Sequence, residues 1–208
     1  MQVTKRDGRS EPVRFDKITQ RLETLRDLFN ATLCVDVTRI AAAACSAVHD
    51  GISTERLDEL TADTAAGVST EHPDYGELAA RILVSNLQKN TLASVVGTWE
   101  KMAGLVSDDF LRVAREHGEA LQAMVDYSRD YDFDFFGFKT LEKMYLTRVD
   151  GVIVERPQHM WLRVAVALWG GDLDRVRETY EHLSTRRFVH ASPTLFNAGM
   201  KRQQLASW

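Results

Sequence analysis

At 208 residues the chain has room for one large domain or two small ones. Its 44% hydrophobic and 27% charged content is that of an ordinary globular protein, and no stretch approaches the ~20 apolar residues of a membrane span. A net charge of −4 argues against non-specific nucleic-acid binding by the whole chain.

The start, MQVTKRDGRS, lacks the apolar core of a secretory signal, which points to the cytoplasm. The first 21 residues hold Lys5, Arg6, Arg9, Arg14, Lys17 and Arg21 against Asp7, Glu11 and Asp16. Such a locally cationic segment suits a small polyanion better than a long duplex. Val3 to Lys5 and Glu11 to Phe15 read as two strands around the Asp7-Gly8-Arg9-Ser10 turn. Four helices are expected next. Asp16 caps the first, with Ile18, Leu22, Leu25 and Phe29 on one face. Asp36 caps the second, which ends at Asp50-Gly51. Ser53 caps the third, with Leu57, Leu60, Thr64 and Val68 aligned. Pro73 opens the fourth, whose face of Tyr75, Leu78, Ala79, Ile82, Leu83 and Leu87 continues to about Met102.

Beyond Gly104 the pattern resets. Ser107-Asp108-Asp109 starts a helix, and an acidic, aromatic stretch follows from Tyr127 to Phe138. Leu146 to Val154 reads as a hairpin turning at Asp150-Gly151. Pro157 opens a helix that ends at Gly170-Gly171. Asp172 caps another, with Leu173, Val176, Tyr180 and Leu183 inward. The last segment, FVHASPTLFNAGM, reads as a strand with an unpaired edge, so trimming after about Thr185 is expected to improve solution behaviour.

Two cysteines are too few for a disulfide scaffold or a Cys-built metal site. Cys45 shares the stripe of Val37, Ala41, Ala44 and Val48 and reads as a small buried core thiol. Cys34 falls in a loop. His159 and His190 have no second ligand at metal spacing and read as structural, so no metal site is expected. The hairpin is the first candidate binding site. Lys5, Arg6 and Arg9 flank the Gly8 turn, where a triphosphate could meet cationic side chains and backbone N–H groups. A solvated charged hairpin fits the same residues.

The segments VTKRDGRSEPVRFDKI, DGISTERLDEL and HPDYGELAARILVSNLQK, in that order, resemble the successive signatures of the ATP-cone domain. That resemblance implies binding of ATP or dATP, with Mg, as an allosteric effector and no tightly bound cofactor. The matching positions are Lys5, Arg6, Glu11, Pro12, Val13, Arg14, Phe15, Asp16, Lys17, Thr54, Asp58 and Lys89. Residue type suggests their work. Lys5, Arg6 and Lys89 would neutralise phosphates, Asp58 would accept hydrogen bonds from sugar or base, and the Val13–Ile18 region would give an apolar wall.

The segments YDFDFFGFKTLEKMYL, VDGVIVERPQHMWLRVAV and FVHASPTLFNAGMKRQQLAS resemble the class I ribonucleotide reductase large subunit, especially the eukaryotic type. The resemblance implies a mainly α chain in three parts. An ATP cone would occupy residues 1–104 and the helical N-terminal region 105–187. Residues 188–208 would be the first strand of a truncated α/β barrel. The parent reaction would be reduction of ribonucleoside diphosphates to deoxyribonucleotides. Partners would be a radical-generating small subunit, further copies joined through the cone, and the remaining large-subunit polypeptide, with no nucleic acid or membrane. Ser192 and Ser207 match positions that contact substrate.

The match fails at Trp208, where the family has a redox-active Cys, so no catalytic residue is expected in this chain and no turnover by it alone. Cys and Trp codons share TG. An unspliced intron with a GT start would therefore give Trp at this position, and a transcript reading Ser-Cys would bear that out. The alternative is a stand-alone nucleotide-binding module that joins or inhibits reductase oligomers.

Overall fold

A computed structural model describes residues 1–30 and 32–206, so Ser207 and Trp208 lie outside the described residues. The chain is mainly α-helical and divides into two compact units. The first comprises residues 1–87 with 133–138, and the second 88–132 with 139–208. No helix among the described residues is long and apolar enough to cross a membrane.

In the first unit, β1 (Gln2–Thr4) pairs antiparallel with β2 (Ser10–Pro12), with Val3 opposite Glu11. β1 also pairs in parallel with β3 (Ile52–Ser53), a strand the sequence reading missed. Helices α1 (Phe15–Arg26), α2 (Val37–Ser46) and α3 (Thr54–Gly67) follow, then α4 (Pro73–Asn90), which runs on into the second unit. Asp36 and Ser53 cap α2 and α3 as expected, accepting from the N–H groups of Arg39 and Arg56.

Several expectations are corrected here. Asp16 does not cap α1: Arg14 holds that position without a side-chain bond, and Asp16 lies in the first turn, where its charge suits the helix N-terminus. Phe29 leaves the α1 face, because it has φ 59° in a 3-10 turn and is exposed. α2 stops at Ser46, short of Asp50-Gly51. The inward face of α3 is Leu57, Asp58, Thr61, Ala62 and Ala65, whereas Leu60, Thr64 and Val68 are only partly covered. Cys45 is half-buried rather than core, and what burial it has pushes its thiol pKa up.

The α4 face is buried as expected, and so are Ala80, Arg81, Val84 and Asn86 on its other sides. α4 is therefore wrapped by its neighbours. Buried Arg81 donates to the Leu25 and Arg26 carbonyls at 2.9 Å each, satisfying orphan acceptors at the end of α1. α4 ends at Asn90 and does not reach Met102. The Ser94 hydroxyl accepts from Gly97 N–H and caps a separate helix, α5 (Val95–Lys101).

In the second unit, Ser107 caps α6 (Asp108–Glu116), and α7 (Gly118–Met124) follows. The acidic, aromatic stretch forms a 3-10 turn, Tyr127–Asp132, then α8 (Phe135–Thr140), whose residues 135–138 are grouped with the first unit, and a π turn, Leu141–Tyr145. The expected hairpin is β4 (Arg148–Val149) with β5 (Val152–Ile153). Its turn residues Asp150 and Gly151 both have positive φ, the requirement that an Asp-Gly pair meets. α9 (Pro157–Trp169) starts at Pro157 and ends at Gly170, where φ is 59°. Asp172 caps α10 (Leu173–Ser184), whose Val176, Tyr180 and Leu183 are buried.

The C-terminal expectation is overturned. Among the described residues, 188–206 contain no barrel strand. Ser192–Asn197 form a short helix, α11, with proline in its first turn, and Val106 makes one isolated bridge to Met200. The carbonyls of Leu195 and Ala198 accept from Arg163, whose side chain is wholly buried beside Glu155. Trimming after Thr185 would strip these partners from a buried guanidinium, which removes the reason for that cut.

Candidate functional site

The site grows from the register of the small sheet. Because β3 runs directly into Ser53, the cap of α3, the first turn of that helix is fixed beside β1 and the turn that follows it. Asp58, one turn into α3, is thereby brought to the hairpin cation Arg6. Arg6 Nη2 lies 3.3 Å from Asp58 Oδ2 and 2.5 Å from Asn86 Oδ1 on α4. Arg21, from the second turn of α1, grips the same carboxylate with Nε at 2.8 Å from Oδ1 and Nη2 at 2.9 Å from Oδ2. Asp58 is only 8% exposed, so its charge is met by protein donors rather than by water.

A second cluster sits on the hairpin. Glu11 receives Lys17 Nζ at 3.1 Å and Lys5 Nζ at 3.4 Å. The Lys17 bond, then the Lys5 bond, holds its carboxyl below the usual range. Val13 and Ile18, both partly buried, pack on a core of Val3, Val48, Ile52 and Leu57.

The expected residues therefore separate into groups. Arg6 joins Asp58, and Lys5 and Lys17 join Glu11. Pro12, Arg14, Phe15 and Asp16 are exposed along the β2–α1 link and first turn, and Thr54 opens α3 partly covered. Lys89 is in the last turn of α4, past the point where that helix enters the second unit. In the Gly8 turn, three backbone N–H groups are already engaged within the hairpin. Lys5 N–H bonds Arg9 O, Gly8 N–H bonds Lys5 O, and Arg9 N–H bonds Asp7 Oδ1. Arg9 itself pairs with Asp7, at 2.6 Å.

Arg21 and Asn86 were missed. Arg21 follows Lys17 at i+4 on α1, the spacing of a cationic stripe. Asn86 is a polar residue within an apolar helical run, and a buried amide needs partners.

In the second unit, Ser192 begins α11 and its Oγ lies 3.0 Å from Tyr145 Oη, with the Tyr145 ring stacked on Phe196. Ser207 lies outside the described residues. His159 is fully buried with Nε2 2.7 Å from Tyr127 Oη. Burial, then the charge of Arg156, pulls its pKa down to about 3, so the ring is neutral. Asp130 is equally buried. It accepts from Gln88 at 2.9 Å and Gln158 at 3.1 Å, and desolvation raises its pKa to about 6. No group of three or more His, Cys, Asp or Glu among the described residues is arranged to hold a metal.

A β-hairpin with Lys5, Arg6 and Arg9 at its turn is packed with helices in the first unit, and a second, helical unit follows in the chain. Residues 1–90 match the ATP cone domain, and residues 131–203 match the all-alpha domain of ribonucleotide reductase. The chain is 48% identical to the ribonucleoside-diphosphate reductase large subunit of Dictyostelium discoideum and 47% to that of Arabidopsis thaliana. It is 42% identical to the large chain 2 of Saccharomyces cerevisiae. Each match covers 100% of this chain but 25%, 27% and 25% of the respective relatives, so the chain spans about a quarter of their length. It belongs to the ribonucleoside-diphosphate reductase large-subunit family and corresponds to part of that subunit.

Proposed function

We propose that residues 1–104 bind ATP or dATP, with Mg, as the allosteric activity control of a cytoplasmic ribonucleoside-diphosphate reductase. The parent enzyme would reduce ribonucleoside diphosphates with a radical-generating small subunit. Further copies would assemble through the cone, and the rest of the large subunit would supply the redox thiols. The observation that supports this reading is the convergence, among the described residues, of Lys5, Arg6, Lys17 and Arg21 on two carboxylates, Glu11 and Asp58. A triphosphate would complete that charge balance, with its base against the Val13–Ile18 wall. Regulation then follows if ATP and dATP differ in affinity for two assembly states. Ser192 and Ser207 are the proposed substrate contacts of the parent enzyme.

Isothermal titration of the 208-residue chain with Mg-ATP and Mg-dATP tests the reading, and no heat at millimolar nucleotide would sink it. Replacing Lys5 and Arg6 together by Ala should weaken binding by roughly 1–3 kcal/mol, the loss of charge-assisted phosphate bonds. Asp58→Asn should change the ratio of ATP to dATP affinity more than the affinity itself, and equal changes for both nucleotides would refute that role. The chain alone should show no ribonucleotide reduction, because Cys34 and Cys45 both lie in the first unit. Turnover by the purified chain would contradict this.

A further inference from the structure

The Asp58 carboxylate has two suitors of unequal strength. Arg21 closes on both oxygens, at 2.8 and 2.9 Å. Arg6 reaches one of them at 3.3 Å, and its shorter bond, 2.5 Å, goes to Asn86. A fork-on-fork guanidinium–carboxylate pair is the stronger arrangement, since two parallel charge-assisted bonds hold the geometry as well as the charge. Asp58 is therefore neutralised chiefly by Arg21, and its hold on Arg6 is the weaker bond.

We propose that Arg21 is a positioning residue of the nucleotide site, keeping Asp58 seated and neutralised so that Arg6, steered by Asn86, can exchange its long Asp58 contact for a phosphate oxygen. This rests on the reading of the hairpin as a triphosphate site. Arg21 itself is assigned no phosphate contact. Its work follows from the burial of Asp58. A nearly covered carboxylate that loses its main partner must draw on another cation, because an uncompensated charge there is costly. Arg6 is the cation already touching it. Without Arg21, Asp58 captures Arg6 and the phosphate loses a ligand.

The proposal makes an unusual demand on a double variant. Arg21→Gln should weaken Mg-ATP binding about tenfold, the cost of one charge-assisted bond. In the Asp58→Asn background, where no carboxylate is left to capture Arg6, adding Arg21→Gln should cost less than about threefold relative to Asp58→Asn alone. Salt dependence should follow the same course, shallower in Arg21→Gln, since one fewer phosphate ion pair is screened, and the same in the double variant as in Asp58→Asn alone. Titration of the full chain at two salt concentrations, with circular dichroism confirming the fold, reads both effects. An unchanged Arg21→Gln affinity overturns the proposal, and so does an equal, about tenfold loss when Arg21→Gln is added to Asp58→Asn, which would make Arg21 a phosphate ligand. Should Arg21→Gln not fold, Arg21→Lys, which keeps a charge on Asp58 and loses only the fork, should weaken Mg-ATP binding by less than about threefold, and a tenfold loss overturns the proposal. These outcomes differ from failure of the underlying reading, in which the parent chain itself gives no heat with Mg-ATP and this proposal falls with it.

Discussion

Arg163→Met should destabilise the second unit by roughly 3–5 kcal/mol, the cost of breaking a buried ion pair by removing one partner. Arg163 and Glu155 are both wholly inaccessible, with Nε 2.7 Å from Oε1 and Nη2 3.2 Å from Oε2. The guanidinium also donates to Ala198 O at 2.6 Å and Leu195 O at 3.0 Å. Removing it therefore strands one carboxylate and two carbonyls at the end of α11. Thr147 would remain on Glu155 through its N–H and hydroxyl, at 3.3 and 2.7 Å, but neither carries a charge. A methionine fills much of the volume, so the loss reports electrostatics more than a cavity. The double variant Arg163→Met/Glu155→Met should recover most of the loss, because two apolar side chains of similar size can replace a buried pair. Urea unfolding checks both claims. A loss below about 1 kcal/mol for the single variant would mean that solvent reaches Glu155.

Two groups in the second unit should give opposite pH dependences that nearly cancel in the intact chain. Asp130 has its folded pKa raised from 3.8 to about 6 by burial. Between pH ~4 and ~6 the folded state keeps a proton that the unfolded chain has released, so stability falls as pH rises. His159 has its folded pKa lowered from 6.5 to about 3. Below pH ~6.5 the unfolded chain takes up a proton that the folded state refuses, so stability falls as pH drops. Each slope is about 1.4 kcal/mol per pH unit while only one state is protonated. His159→Gln should therefore leave a chain that weakens from pH 4 to 6, and Asp130→Asn one that strengthens over the same range. Urea midpoints at pH 4, 5 and 6 distinguish them. Parallel curves for the two variants would show that neither group is desolvated in the folded chain.

Much of the helix layout was legible because it depends on bonds spanning three or four residues. Asp36, Ser53, Ser107 and Asp172 each accept a backbone N–H three positions on. Asp150-Gly151 and Gly170 supply the positive φ that their turns require. The errors arise where a local pattern met a distant partner. FVHASPTLF has strand-like composition, yet Ser192–Asn197 is helical and its end is tied to Arg163. Apolar periodicity suggested one helix from Pro73 to Met102, but Ser94 starts a new one.

The ATP-cone signatures, the family and the hairpin cations are properties of the sequence itself, since they rest on residue order and short-range chemistry. What tertiary structure alone decided is which charges meet. Arg21 and Asp58 are 37 positions apart, Arg6 and Asp58 52, and Arg6 and Asn86 80. Arg163 likewise lies within the largely apolar helix α9, and only folding shows Glu155 and the α11 carbonyls around it. No periodicity encodes such pairings. They follow from the parallel register of β1 and β3, the burial of α4 and the return of the C-terminal segment to α9, and each is settled only when the whole unit closes around a charge that cannot remain uncompensated.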